Sequence, residues 1–296
     1  MKPIHQLLKY GEELLLQKEI NPNESRYILE NLLKTDFAGL LMRKNEEMDE
    51  KTELLFFDIL QERLRGKPLQ YILHEQYFYG YPFFVDERVL IPRPETELLV
   101  ERSIELIKSF HRKGDKELSV LDLCTGSGCI IISLAKSVKE SMQKLKLHGY
   151  GVDISEEALQ VAKENALRNQ MEEIQWIQSD LFMNLHDQFD LIISNPPYIP
   201  KADVKELMLE VREHEPHLAL DGGEDGYDFY RRIIEESRKF LKPGGVLIFE
   251  TGYNQKVEIM KMMEKYGYNE VLGFDDYSGF DRNVQGSWKK VFRGEE

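Results

Sequence analysis

The chain has few cysteines, no long apolar run and no block of basic residues, and each absence removes a class of function. Only two cysteines, Cys124 and Cys129, occur among the 296 residues. They fall around one glycine-rich loop without companion ligands at metal spacing. Neither a disulfide framework nor a metal site is expected, and a reduced, cytoplasmic setting follows. The opening Met1-Lys2-Pro3-Ile4-His5-Gln6 leads to Glu12 and Glu13 without an apolar core. No signal peptide or membrane span is expected. Lys and Arg number 39 against 53 Asp and Glu, leaving a formal net charge of −14. A surface that acidic repels phosphate backbones, and no Lys/Arg run with interleaved aromatics compensates. Stable nucleic-acid binding is therefore not expected, and a basic protein partner suits the charge better.

What is present divides unevenly, as the length predicts. Leu7, Leu8, Leu14, Leu15 and Leu16 recur at helical spacing from Ile4 to Lys18. Asn21-Pro22-Asn23 breaks that helix, with Asn23 placed to cap the next one, through Tyr27, Ile28, Leu32 and Leu33. Short helices over Phe37 to Met42 and Glu50 to Arg65 follow, the latter stopped by Gly66. Aromatic residues then crowd around Gly80 and Pro82, the signature of a β-hairpin that reads as a connector. After a helix over Thr96 to Phe110, strands and helices alternate. Strands are expected at Ser119–Leu123, His148–Val152, Ile174–Gln178, Phe189–Ser194 and Val246–Glu250. Helices are expected after the glycine loop, at Ser155–Asn169 and at Tyr227–Leu241, the last stopped by Lys242-Pro243-Gly244-Gly245. This alternation predicts a mostly parallel, doubly wound α/β sheet. Segments near Tyr268–Phe274 and Ser287–Phe292 suit a closing antiparallel pair.

Such sheets bind ligands beyond the carboxyl ends of their strands. The first strand runs into Cys124-Thr125-Gly126-Ser127-Gly128, where glycines let backbone amides approach a ligand at a helix N-terminus. That loop alone suits a nicotinamide cofactor as well. Asp153 closes the second strand, where a carboxylate can accept from two ribose hydroxyls, and Asp180 closes the third, near an adenine. Ordered on successive strands, they favour an adenosyl ligand. Cys124 stands where glycine is commoner, which a small residue satisfies if its φ is negative.

The fourth strand runs into Asn195-Pro196-Pro197-Tyr198. Consecutive prolines lock φ and remove donors, leaving carbonyl oxygens as acceptors. The Asn195 side-chain oxygen and the Pro196 carbonyl can both accept from a planar NH2 group, and Tyr198 can stack on it. Two acceptors hold a poorly nucleophilic nitrogen in line with a methyl group and stabilise the charge that develops on it. An adenine N6 or guanine N2 amine would be served by the same chemistry once flipped out of its helix.

At these motifs the chain resembles the HemK/PrmC family of class I, Rossmann-like methyltransferases. Its members N5-methylate the glutamine of the Gly-Gly-Gln motif in peptide chain release factors. The resemblance extends to Gly66–Ile72, to Val89-Leu90-Ile91-Pro92-Arg93-Pro94-Glu95-Thr96-Glu97, to Glu215–Gly223 and to Asp276–Arg282. It implies a helical substrate-recognition domain over 1–73, a β-hairpin linker over 74–95 and a methyltransferase domain over 96–296. It implies S-adenosylmethionine as cofactor, with S-adenosylhomocysteine as product. Cofactor contacts are implied at Cys124, Thr125, Gly126, Ser127, Gly128, Asp153, Asp180, Leu181 and Asn195, and a grip on the substrate glutamine at Asn195, Pro196, Pro197 and Tyr198. Arg93 and Glu95 would shape the cofactor pocket, although alone they would pass for a surface ion pair. His217 reads as a solvated loop histidine. A release factor is the implied partner and a monomer the expected state, with a ribosomal-protein glutamine as the closest alternative substrate.

Overall fold

The computed structural model describes residues 1–289, and the chain divides into two compact units. The smaller comprises Met1–Glu75 together with Met208–His214, and the larger comprises Gln76–Leu207 and Glu215 onward.

In the smaller unit, α1 (Ile4–Gln17), α2 (Glu24–Leu33), α3 (Phe37–Met42), α4 (Glu50–Leu64) and α5 (Leu69–Leu73) pack around Leu7, Leu15, Ile28, Leu29, Phe56 and Leu60. Asp36 and Asp49 cap α3 and α4 by accepting from the amides of Gly39 and Thr52. Asn23 does not cap α2: it already has helical φ and ψ, and its own amide donates to the Asn21 side chain at 3.1 Å. Gly66, at φ +101°, ends the α4 turn as expected of a glycine. Arg63 is the unit's one buried cation among the described residues, gripped by Glu24 at 2.5 Å and Glu210 at 2.7 Å. With either carboxylate removed Arg63 keeps the other, so the loss should stay below the ~3–5 kcal/mol of a buried charge left with no partner.

The larger unit opens with a hairpin, β1 (Gln76–Phe78) and β2 (Tyr81–Phe83), whose Phe78 and Phe83 are buried in this unit's core. Next come α6 (Glu97–Arg112), β3 (Glu117–Leu123), α7 (Cys129–Ser141), β4 (Lys146–Asp153), α8 (Glu156–Arg168), β5 (Gln175–Gln178) and β6 (Phe189–Ser194). The short α9 (Leu209–His214) leaves for the smaller unit, and α10 (Asp228–Ser237), β7 (Leu241–Glu250), α11 (Lys256–Lys265), β8 (Asn269–Asp275) and β9 (Asp281–Ser287) complete the chain. The strand order is β5-β4-β3-β6-β7-β9-β8. The first five are parallel, and β9 and β8 are antiparallel additions. Side chains alternate between faces, as a period of two requires. Val120, Leu191, Ile193, Val246 and Ile248 meet α6 and α7, whereas Leu121, Ile192, Leu247 and Phe249 meet α10 and α11. The order of strands reverses between β3 and β6, which puts the ligand crevice at their carboxyl ends.

Three boundaries in the last third of the chain differ from the sequence expectation. The helix expected to reach Leu241 ends at Ser237, and Lys242-Pro243-Gly244-Gly245 lies inside β7 instead of before it. Leu241 already pairs with Phe189, and the Gly244 amide donates to the Trp288 carbonyl at 2.7 Å, so the turn-rich stretch is absorbed as an irregularity of the ladder. The last strand lies earlier than Ser287–Phe292, where residues 290 onward are outside the described residues. Among the described residues, no helix is long and apolar enough to cross a membrane.

Candidate active site

The glycine loop leaves β3 at Cys124 and enters α7 at Cys129. It is tied to β4 at two points: the Thr125 amide donates to the Val152 carbonyl at 2.9 Å, and the Gly126 amide to Asp153 Oδ2 at 2.9 Å. The other Asp153 oxygen accepts from the Ser155 amide at 3.0 Å, and burial pushes this carboxyl above its usual range. Asn165, fully buried in α8, reaches the loop from behind, donating to the carbonyls of Ser127 at 2.9 Å and Phe84 at 3.0 Å. A Cβ on Gly128 would lie 2.9 Å from both Ile132 and Trp176, whereas one on Gly126 would meet open space. The loop is thus packed hard on one side and open on the other, the form a cradle for a ligand needs.

Asp122, the last polar residue before the loop, is wholly buried. The Thr125 hydroxyl donates to its Oδ2 at 2.6 Å, while Oδ1 has no hydrogen-bond partner among the described residues. Desolvation pushes this carboxyl up to about 7. Asp180 follows β5, where the Ser179 amide donates to the Asp153 carbonyl at 2.9 Å. Asp180 itself accepts from Arg232 of α10 at 2.8 Å, and both side chains are partly exposed. Leu181, beside it, is buried at φ +50°. Cys124–Gly128, Asp153, Asp180 and Leu181 therefore gather at the carboxyl ends of β3, β4 and β5.

Cys124 departs from the expected negative φ, standing at +59°. The loop's bonds to β4 force the chain into the left-handed region, which explains why glycine suits this position. The left-handed conformation costs a side-chain-bearing residue about 1–2 kcal/mol. Cys124→Gly is expected to raise stability by about 0.5–1 kcal/mol in chemical denaturation, after allowing for glycine's greater unfolded-state entropy. A less stable variant would mean that packing of the thiol against the second core cluster outweighs the strain. Burial pushes the Cys124 thiol far up, so it is not a nucleophile at neutral pH.

Asn195 follows the last residue of β6, and its Nδ2 donates to the Thr96 hydroxyl at 3.4 Å. Pro196 and Pro197 are buried, and Tyr198 is half-buried against the second core cluster. Burial also pushes the Tyr198 phenol up, so it stays neutral. Residues 220–226 run against the outer side of this turn. The Ile199 amide donates to the Leu220 carbonyl at 3.1 Å, and the Gly222 amide to the Ile199 carbonyl at 2.8 Å. Gln255 closes the arrangement by donating to the carbonyls of Tyr198 at 3.1 Å and Gly226 at 3.2 Å. The tetrapeptide is a clamped turn and not a free loop end.

Arg93 makes an ion pair, but its partner is the buried Glu215, at 2.5 Å, and not Glu95, which is exposed. His217 is exposed at the start of a single 3₁₀ turn. The residues that sequence reasoning missed are Thr96, Asn165, Glu250 and Gln255. One signal was visible for Glu250, a carboxylate ending the otherwise apolar run Val246–Phe249.

Comparison with known proteins matches residues 6–73 to the PrmC N-terminal domain and residues 114–291 to a methyltransferase domain. The release factor glutamine methyltransferase of Bacillus cereus is 38% identical over 285 residues, covering 95% of this chain and 98% of that one. Its counterpart from Fusobacterium nucleatum is 38% identical, covering 91% of this chain and 75% of that one. Among solved structures, a methyltransferase from Pyrococcus furiosus matches with a TM-score of 0.50 at 17% identity, over 78% of this chain and 98% of that one, which bears on the fold alone.

Proposed function

Because the chain belongs to the release factor glutamine methyltransferase family, we propose that it uses S-adenosylmethionine to methylate the side-chain nitrogen of the glutamine in the Gly-Gly-Gln motif of a release factor. The observation that carries this reading is the clamped tetrapeptide, in which the Asn195 nitrogen is engaged inward by Thr96 and its oxygen is left to act as an acceptor. S-adenosylmethionine, when bound, supplies an electrophilic methyl group on a sulfonium and departs as S-adenosylhomocysteine. Asp153 and Asp180 suit the ribose and adenine sides of such a ligand, Leu181 lies beside them, and Cys124 to Gly128 suit its amino-acid end. Asn195 Oδ1 and the Pro196 carbonyl accept the two amide hydrogens of the substrate and keep its lone pair on the line of attack. Tyr198, neutral throughout, packs on the flat amide. The nitrogen becomes acidic only as the new bond forms, so its proton passes to water without a dedicated side-chain base.

The segment matching the PrmC N-terminal domain, within 1–73, is assigned to holding the release factor, and the fold from Thr96 onward to the chemistry, with the hairpin of 74–95 leading into it. A translation substrate and two free cysteines fit a cytoplasmic setting. The test is to incubate the protein with methyl-labelled S-adenosylmethionine, purified release factor, ribosomal proteins, tRNA and DNA, and to locate the label by mass spectrometry. Label on the Gly-Gly-Gln glutamine is the expected result. Label on a ribosomal protein or on nucleic acid would overturn the substrate assignment.

A further inference from the structure

Glu250 ends β7 where Asn195 follows β6, and the register that sets Ser194 beside Phe249 places these two residues next to each other. The Glu250 side chain is buried, at 2% exposure, and the Thr96 hydroxyl and the Asn195 amide lie close enough to favour its ionised form. Its Oε2 has no hydrogen-bond partner among the described residues. The nearby Arg282 is paired with Asp276, at 3.0 Å, and among the described residues it forms no ion pair with Glu250. A buried carboxyl that makes no ion pair of its own destabilises the fold relative to an apolar side chain of similar size. Its presence here points to the chemistry next to it.

Hydrogen-bond direction shows what it does. An asparagine amide can sit either way round, and a threonine hydroxyl can donate or accept, so Thr96 alone cannot choose the orientation of Asn195. An ionised carboxylate can only accept. With Glu250 taking the Thr96 hydrogen, Thr96 is left as an acceptor, and only the Asn195 nitrogen can satisfy it. A flipped Asn195 would set oxygen against oxygen on the inside and donor against donor at the substrate amine. We propose that Glu250 is a positioning residue for methyl transfer, which through Thr96 and by direct contact turns the Asn195 nitrogen inward and its oxygen toward the substrate nitrogen. The inference rests on the methyl-transfer reading above.

A protonated Glu250 can donate, and the constraint is then released. Burial pushes its carboxyl up to about 7, with Thr96, Arg282 and Asn195 opposing the shift and Glu95 adding to it. Facing it are Glu95 and Thr96 ahead of α6, Asn195 and Tyr198 of the tetrapeptide, Arg282 of β9, and Tyr230 of α10, whose hydroxyl donates to the Glu250 carbonyl at 2.9 Å. Turnover should therefore rise with pH through about 7 as the acceptor-only form takes over.

The experiment compares kcat, KM for release factor and pH profiles of the wild type, Glu250→Ala and Glu250→Gln, with cofactor affinity measured by calorimetry. Glu250→Ala is expected to lower kcat about 100-fold, as loss of one preorganised transition-state contact does. KM and cofactor affinity should stay within about twofold, since the lost contact is realised only in the transition state. Glu250→Gln carries a donor beside its acceptor, as the protonated carboxyl does, so its kcat should stay at the low level of the wild type's acid side, and with no carboxyl to titrate the limb near pH 7 should vanish. Wild-type kcat in Glu250→Ala, a wild-type profile flat through pH 7, or a limb that survives in Glu250→Gln would each overturn the proposal. If Glu250→Ala does not fold, the Glu250→Gln profile alone decides in the same sense. A wild type that methylates some other amine would sink the glutamine reading instead, and the same three proteins compared on that amine would still judge Glu250.

Discussion

Asn195→Ala should cut methyl transfer to the release factor by about a thousandfold, the upper end of what one preorganised transition-state contact is worth. The side chain removed is one of two acceptors assigned to the substrate amide, and its nitrogen is the group that Thr96 receives at 3.4 Å. The glycine loop keeps its bonds to Val152 and Asp153, which do not involve Asn195. Cofactor affinity, read by calorimetry, is therefore expected to fall by no more than about threefold, a pattern in which kcat collapses while ground-state binding survives. Full activity of this variant in a labelled-methyl assay would remove the tetrapeptide from the mechanism.

The second large effect comes from a residue that would never touch the substrate. A methyl group added at Gly222 would stand 2.7 Å from the Tyr198 Cα, 2.8 Å from its carbonyl carbon and 2.9 Å from the Pro197 carbonyl oxygen. All three are backbone atoms, so no rotamer change relieves the clash and the tetrapeptide itself must move. Misplacement of a reacting group by about 1 Å costs roughly a hundredfold in rate. Gly222→Ala is thus expected to lower kcat by about 100-fold with secondary structure and cofactor binding retained. A variant with undiminished kcat would show that the turn has slack. Burial of Gly222 and the two hydrogen bonds that tie Ile199 to residues 220 and 222 argue that it has little.

These two positions mark where the sequence could and could not be read. The placement of the tetrapeptide and the glycine loop at strand ends was legible because it is local: strand and special backbone follow one another within a dozen residues. Asp153 and Asp180 were legible because strand ends recur at regular spacing in an alternating chain. Glu250 and Gln255 were not, since they approach Asn195 and Tyr198 only through the pairing of β7 with β6, more than fifty positions away in the chain. The reading of Cys124 failed for a related reason. Residue type favours a negative φ, but amide bonds to β4 impose a positive one, and tertiary constraint overrides local preference. Asn23 failed in the opposite way, as a residue chemically suited to capping whose own backbone had already joined the helix.

The Arg63 cluster carries a consequence for how this protein could be taken apart. Its two carboxylates come from Glu24 and from Glu210, which are separated by most of the chain. A gene fragment ending at residue 75 would encode five helices but leave out one counter-charge of their buried cation. The N-terminal segment is therefore not a detachable cartridge. Exchanging it between relatives would require transplanting the excursion at 208–214 along with it, and a hybrid built on a single junction would inherit a mismatched half. The two units are in this sense written into one interleaved text.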